Sequence, residues 1–320
     1  MELVDLQGPA LPDHSTVVTV GVYDGVHKGH QVTIGEVVNA ARSLGKKSVV
    51  ATFDRHPSAL LRPHETPKML CTLECRLELF AEMGVDLVAV IEFTSERSHE
   101  DPVEFVELIL AKQLGAQSIF VGENFRFGKD RKGDVGLLRS VGERLEISVT
   151  GIPLQERQGG VVSSTRIREL LFAGDVSQAN ELLGRAHEVP GEVIHGDARG
   201  GSALGYPTAN VAVPDYLAVP GVGIYAGWYR DRSVGPIAAA ISVGRRPTFY
   251  EQPHEPLVEA HLLDFAGDLY GAQGRVSFTK LLREEKKFDG IDSLKAQMAI
   301  DVAQSAEICA GPGSWKPLNP

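Results

Sequence analysis

GVYDGVHKGH, residues 21–30, stands where a β-branched run, TVVTV at 16–20, gives way to a stretch with helical spacing. Two histidines, an aspartate and three glycines share these ten residues. That composition suits a turn that approaches a ligand, because glycine admits backbone geometries and close contacts that a Cβ forbids. A helix starting after a strand also turns its free N–H groups and positive dipole end toward an anion. His27 and His30 are three apart, so if the helix begins near His27 both imidazoles lie on its first turn. There they face one anion and stabilise charge building up on a phosphoryl group. Neither GxxxxGK[ST] nor GxGxxG occurs, which sets aside the ordinary P-loop and dinucleotide folds.

Working outward, TVVTVGV, KSVVATF, DLVAVIEF, QSIFVGE and ISVTGIPL are short, β-branched and free of alternation, as strands covered on both faces are. Between them HQVTIGEVVNAARSLG, TLECRLELFAEMG, DPVEFVELILAKQLG and DVGLLRSVGERLE carry apolar residues at three and four spacing, several ending in glycine, a helix stop. This alternation predicts an α/β domain, a Rossmann-like doubly wound parallel sheet with ligands beyond the carboxyl ends of its strands. SSTRIRELLFAGD and VSQANELLG predict two short helices that close this domain at residue 184. RAHEVPGEV reads as a linker. Beyond it GEVIHGD, TANVAV, GIYAGWYRD, IAAAISVG, VEAHLLDF and GRVSFTKLLR predict a small antiparallel β-barrel. IDSLKAQMAIDVAQSAEIC supplies a C-terminal helix, so the domains expected are 1–184 and 185–320.

The 320 residues are 43% hydrophobic, enough for two packed cores. The net charge is −10, and acidic residues outnumber basic ones in both halves. That excludes a general nucleic-acid surface or an anionic-membrane anchor, each of which needs a basic face. The three cysteines, Cys71, Cys75 and Cys309, are too few for a disulfide framework and fit a reducing compartment. Cys71 and Cys75 read as core-facing thiols, since no third ligand completes a metal site. MELVDLQGPALPDH lacks the basic and apolar regions of a secretory signal, and no apolar run reaches the ~18 residues of a membrane span. A cytoplasmic monomer or weak homo-oligomer, with neither nucleic acid nor membrane as partner, is expected.

GVYDGVHKGH resembles the G-x-F-D-G-x-H-x-G-H signature of the nucleotidyltransferase superfamily, with Tyr23 in place of the usual Phe. SSTRIRELL at 163–171 is similar to that superfamily's second nucleotide-binding motif. TFDRHPSALLRP and VGENFRFGKDRKGD resemble segments of its prokaryotic flavin-nucleotide branch, with Arg55 where Pro is frequent and Asn124 where Asp is. In the second half, GDARGGSALGYPTANV resembles the riboflavin kinase signature G-D-x-R-G-x-x-L-G-[FY]-P-T-A-N. LVEAHLLD resembles the stretch holding that family's catalytic glutamate, and SVGRRPTF its S-V-G-x-x-P-T-F, with Arg245 and Arg246 replacing a Thr-Asn pair. The chain is thereby identified as a member of the bifunctional prokaryotic FAD synthetases, riboflavin kinase joined to FMN adenylyltransferase, over nearly all of residues 16–310.

The resemblance implies two reactions on small-molecule substrates. ATP phosphorylates riboflavin to FMN in the C-terminal barrel, with Glu259 as the base and Thr208 and Asn210 holding Mg²⁺. ATP then adenylylates FMN to FAD and pyrophosphate in the N-terminal domain, where His27 and His30 are the catalytic pair. The ATP contacts it implies are Gly21, Tyr23, Asp24, Gly25, Gly29, Ser164, Thr165 and Arg168, with Gly196, Gly200, Gly201 and Gly205 for the kinase. The flavin contacts are Phe53, His56, Pro57, Asn124, Phe125 and Phe127, with Arg283 from LLREEKKFDG in the barrel. Arg126, Lys129, Arg131 and Lys132 either screen phosphates or form a solvated turn. The Arg245-Arg246 departure leaves open a chain that retains only one activity; a flavin- or nucleotide-binding regulator without turnover is a second alternative, and an RNA-binding barrel fused to a nucleotidyltransferase is a third, disfavoured by the acidic second half.

Overall fold

The computed structural model describes residues 1–195, 208–245 and 256–311. Contacts divide the chain into two compact units, 1–163 and 164–320.

The first unit is a six-stranded sheet in the order β1-β4-β3-β2-β5-β6, parallel throughout. Its strands are β1 (Glu2–Val4), β2 (Thr16–Val20), β3 (Lys47–Phe53), β4 (Leu87–Ile91), β5 (Ala116–Gly122) and β6 (Ser148–Ile152). Every residue of β2 is buried, as the unalternating TVVTV required. The connecting helices are α1 (Lys28–Leu44), the short α2 (Ser58–Leu61), α3 (Leu73–Glu82), the short turns α4 (Ser95–Ser98) and α5 (Pro102–Glu104), and α6 (Val135–Arg144). The expected helix over 101–115 widens after α5 into a π-helix, Phe105–Gln113. Val18, Val20, Ala51, Ile91, Phe105, Leu110, Ile119 and Leu138 form the middle of its core. The chain builds β2, β3 and β4 outward on one side, then crosses to β5 and β6 on the other. That reversal puts the switch point beside β2 and opens a crevice at the carboxyl end of that strand. The edge strand β1 went unread in the sequence because three largely exposed residues carry no period.

The second unit opens with α7 (Ser164–Phe172) and α8 (Val176–Leu183) and closes a barrel in the order β10-β13-β12-β11-β14-β9. The strands are β9 (His187–Ile194), β10 (Ala209–Ala212), β11 (Gly223–Arg230), β12 (Ile237–Arg245), β13 (Pro256–Leu262) and β14 (Gln273–Arg283), each antiparallel to its neighbours. The helix α9 (Ile291–Ala310) follows. A small hairpin, β7 (Glu156–Arg157) with β8 (Gly160–Val161), precedes the unit.

Two details depart from the sequence reading. β9 begins inside the expected linker: Pro190 pairs with Arg275 but lies beyond the β10 partners of β9, so its missing N–H faces no ladder. The sequence pattern changes near Arg185, whereas contacts group α7 and α8 with the barrel. Asn180 of α8 is the tie: its Nδ2 donates to Phe278 O at 2.8 Å and its Oδ1 accepts from His187 N at 2.7 Å.

His187 is 1% exposed and donates Nε2–H to Ala218 O at 2.8 Å. Burial pushes its imidazole down to about 4, with the charge of Arg185 adding to the effect and the Ala218 bond opposing it. An unfolded chain takes up this proton below the ordinary value of 6.5 and the folded one does so only near 4, so stability falls with pH inside that window. From pH 7 to pH 5 the loss expected from this one group is about 2 kcal/mol. Urea unfolding followed by tryptophan fluorescence reads it in the right unit, since the two tryptophans are Trp228 and Trp315. His187→Gln should remove that part of the slope.

Candidate functional site

The opening turn is built on left-handed backbone. Tyr23 has φ 52°, Gly25 77° and Val26 39°. For a fully buried, β-branched Val26 that conformation is strained, and the surrounding packing must impose it. Gly21 and Gly29 serve close approach instead: a Cβ would meet the Tyr23 ring at 3.2 Å in the first case and the His27 ring at 3.2 Å in the second.

His27 is the N-cap of α1, its Nδ1 accepting from His30 N at 3.3 Å. This bond leaves Nε2 of neutral His27 as the protonated nitrogen. The two imidazoles stack at 3.6 Å with 19° between their planes. His30 meets the Tyr23 ring edge-on at 5.1 Å, and its Nδ1 is enclosed with no hydrogen-bond partner. Burial first, then the charge of His27, holds His30 well below the usual imidazole range. With His30 N–H spent on the cap, the Lys28 and Gly29 amides remain as the other first-turn donors.

Beneath this turn lies a polar layer that ties motif residues to Arg76, which no motif includes. Tyr23 OH bonds Thr19 Oγ1 and its ring packs on Phe80 at 5.8 Å. Burial raises its phenol above the usual range. Asp24, 2% exposed, accepts from Leu70 N at 2.8 Å. Arg76 of α3, 1% exposed, donates Nη1–H to Val22 O at 2.8 Å and to Thr52 Oγ1 at 2.9 Å. The Thr52 hydroxyl in turn donates to Val22 O at 3.2 Å. Arg76 was legible only as a cation on the apolar stripe of TLECRLELFAEMG, where Cys75, Leu79 and Phe80 are its buried neighbours. Cys71 and Cys75 are buried and form no disulfide.

The carboxyl ends of β3 and β5 flank that of β2 and bring the other candidates to the same edge of the sheet. Phe53 packs on Phe93 at 5.8 Å. Asp54 Oδ1 accepts from Phe93 N at 2.9 Å and its Oδ2 from Arg55 Nε at 2.7 Å. His56 Nδ1 accepts from Ser58 N at 3.1 Å, and Pro57 is the N-cap of α2. After β5, Asn124 is exposed. Phe125 stacks on Phe127 at 5.3 Å, and Phe127 belongs to the core against Phe105. Gly128 is left-handed, and a Cβ there would meet Pro102 at 2.6 Å. Arg126, Lys129, Arg131 and Lys132 are all exposed, with Lys132 paired to Asp130 at 3.6 Å.

In the second unit Ser164 opens α7, Thr165 is exposed and Arg168 is buried. The barrel carries a cross-strand row: Asn210 of β10 faces Glu259 of β13, which faces Ser242 of β12. Directly opposed residues share a face of the sheet. The flanking rows, Val211-Val258-Val243 and Ala209-Ala260-Ile241, are buried, so the polar row alternates with apolar ones. Asn210 is 7% exposed and its Oδ1 is buried without a partner. Thr208 immediately precedes β10. An orphaned amide oxygen suits a hard divalent cation.

The Arg283 guanidinium grips both oxygens of Asp301 on α9, with Nη2 to Oδ2 at 2.8 Å and Nε to Oδ1 at 3.0 Å. Its Nη1 donates to Glu284 O at 3.1 Å, and Phe288 lies 5.6 Å away beneath the cation. Gly196, Gly200, Gly201, Gly205, Arg246 and the rest of SVGRRPTF beyond Arg245 lie outside the described residues.

A family model described as FAD synthetase matches residues 11–166, and one described as riboflavin kinase matches 183–309. The bifunctional riboflavin kinase/FMN adenylyltransferase of Listeria monocytogenes is 33% identical over 94% of this chain and 96% of its own length. The protein of that name from Pseudomonas fluorescens is 36% identical over 93% of this chain and 95% of its own. A crystal structure titled macrolide-efflux protein from Streptococcus pneumoniae superposes with a TM-score of 0.85 at 30% identity, covering 96% of this chain and 98% of that one. Among the described residues no helix is long and apolar enough to cross a membrane.

Proposed function

The chain belongs to the bifunctional riboflavin kinase/FMN adenylyltransferase family and makes FMN and then FAD, and from that premise we propose how its residues divide the two reactions. Riboflavin phosphorylation falls to the barrel. Glu259 accepts the proton of the riboflavin 5′-hydroxyl as that oxygen attacks the ATP γ-phosphate, and ADP leaves. Thr208 and Asn210 hold Mg²⁺, which when bound neutralises polyphosphate charge. The observation that carries this reading is the buried, unpartnered Oδ1 of Asn210 directly across from Glu259.

FMN adenylylation falls to the first unit. The FMN phosphate attacks the ATP α-phosphate and pyrophosphate departs; a phosphate nucleophile is already ionised and needs no base. The work left for the protein is position and charge stabilisation. We assign it to the ring N–H groups of His27 and His30 and to the first-turn amides of α1. Asn124, Phe53, His56, Pro57, Phe125 and Phe127 shape the flavin side, Phe127 from within the core. The substrates are small molecules, and we place the protein in the cytoplasm, where ATP and reduced thiols are maintained.

Incubating purified protein with riboflavin, ATP and Mg²⁺ and separating the products by chromatography tests both halves. FMN should accumulate first and FAD second. FMN without FAD, or neither product, contradicts the division of labour.

A further inference from the structure

Resting on the assignment of the ATP site to the His27–His30 turn, we infer that Arg76 is a positioning residue for adenylyl transfer, acting through the carbonyl of Val22. Val22 links β2 to the first left-handed residue, Tyr23, and its carbonyl sets the peptide plane from which the turn departs. That oxygen is held by two donors from two different elements, Arg76 of α3 and Thr52 of β3, and the donors are bonded to each other. A triangle of this kind cannot reorient one member without breaking two bonds. It therefore fixes the start of a loop whose later residues sit in strained conformations, and whose end delivers both imidazoles.

The charge of Arg76 has a second consequence. The guanidinium is 1% exposed, and among the described residues no carboxylate lies within ion-pair distance of it. Its Nε is buried without a partner. Burial lowers its proton affinity, and Cys71, Asp24, Cys75 and Asp54 offset that only in part. Asp24 already accepts from Leu70 N, and Asp54 from Phe93 N and Arg55. A buried cation left uncompensated is costly, and it is compensated when a polyanion arrives at the end of β2. The two bonds from Nη1 thus shape the turn, and the charge draws the triphosphate.

The two contributions separate in steady-state kinetics of FAD formation from supplied FMN and ATP, using the full chain. Arg76→Met removes both and should lower kcat by about 10²-fold, the scale of a small misplacement of reacting groups, while raising the KM for ATP by roughly tenfold. Arg76→Lys keeps a charge but ends in a tetrahedral ammonium of shorter reach, without the in-plane N–H pair that Nη1 aims at Val22 and Thr52. It should restore the KM to near wild type and leave kcat depressed at least tenfold. Thr52→Val removes one corner of the triangle without changing charge and should lower kcat alone. Circular dichroism melting shows whether each variant folds; if Arg76→Met does not, the lysine and Thr52 variants carry the test. Unchanged kcat in folded Arg76→Met, or full recovery of kcat by lysine, overturns the inference. His30→Ala run in parallel separates the two levels. If that variant loses FAD formation while the Arg76 variants do not, only the inference fails; if it is also unimpaired, the assignment of the site fails.

Discussion

Replacing Glu259 by Gln should lower riboflavin phosphorylation by roughly 10²–10⁴-fold, the range of a positioned general base, while FAD continues to form from supplied FMN. Glutamine keeps the shape of the side chain and its reach across the ladder to Asn210 and Ser242, so β10, β12 and β13 keep their register. It loses the ability to take a proton from an alcohol whose own acidity is far too weak to ionise near neutrality. The measurement is FMN formation from riboflavin at saturating ATP, with FAD formation from FMN assayed on the same preparation. A kinase rate within threefold of wild type would remove Glu259 from the mechanism. It would leave the row Asn210-Glu259-Ser242 as a polar seam of the barrel and nothing more.

The second large effect is expected at the other end of the chain. His30→Ala should lower FAD formation from FMN by about 10²–10³-fold, the cost of removing one preorganised donor to developing negative charge. Burial and the neighbouring charge of His27 keep the His30 ring neutral. Two rings stacked at 3.6 Å resist carrying two protons at once, so near neutral pH the pair acts mainly through N–H donors. His30→Gln, which restores an N–H without a ring, should recover part of the lost rate. The stack supplies the complementary control: His27→Ala removes both a donor and the cap on the His30 amide, and should cost more than His30→Ala. Wild-type FAD formation in both variants would break the link between GVYDGVHKGH and nucleotide chemistry.

The sequence carried the layer order of the first unit because buried parallel strands and amphipathic helices have periods that sterics make unambiguous. The continuous TVVTV and KSVVATF and the three-four spacing of residues 30–45 could be little else. It also marked candidate positions, two histidines three apart after a strand and, through the resemblance, the strand glutamate Glu259. What it did not carry depends on contacts between distant segments. Arg76 is one cation in an acidic-and-apolar helix until the fold brings Val22 and Thr52 to it. Glu188 sits in what reads as a linker, yet it receives Arg230 at 3.0 Å and Ser277 Oγ at 3.0 Å inside the barrel wall. Arg283 closes on Asp301, eighteen residues later in α9, a pairing with no local signature. In the turn the three glycines divide the work, Gly25 by positive φ and Gly21 and Gly29 by close approach, while Tyr23 and Val26 take left-handed positions that no residue type announced.

The amide of Asn180 decides where this protein can be cut. Both of its bonds reach into barrel strands, to Phe278 O and His187 N, although α8 precedes the residues matched by the riboflavin kinase model, 183–309. A fragment begun at Arg185 strands a carbonyl and an amide in an apolar wall, at about 1–3 kcal/mol for each group left unsatisfied. One begun at Ser164 retains the plug. A stand-alone kinase severed from its neighbour therefore has its natural first residue some two helices upstream of the place where the composition turns β-rich.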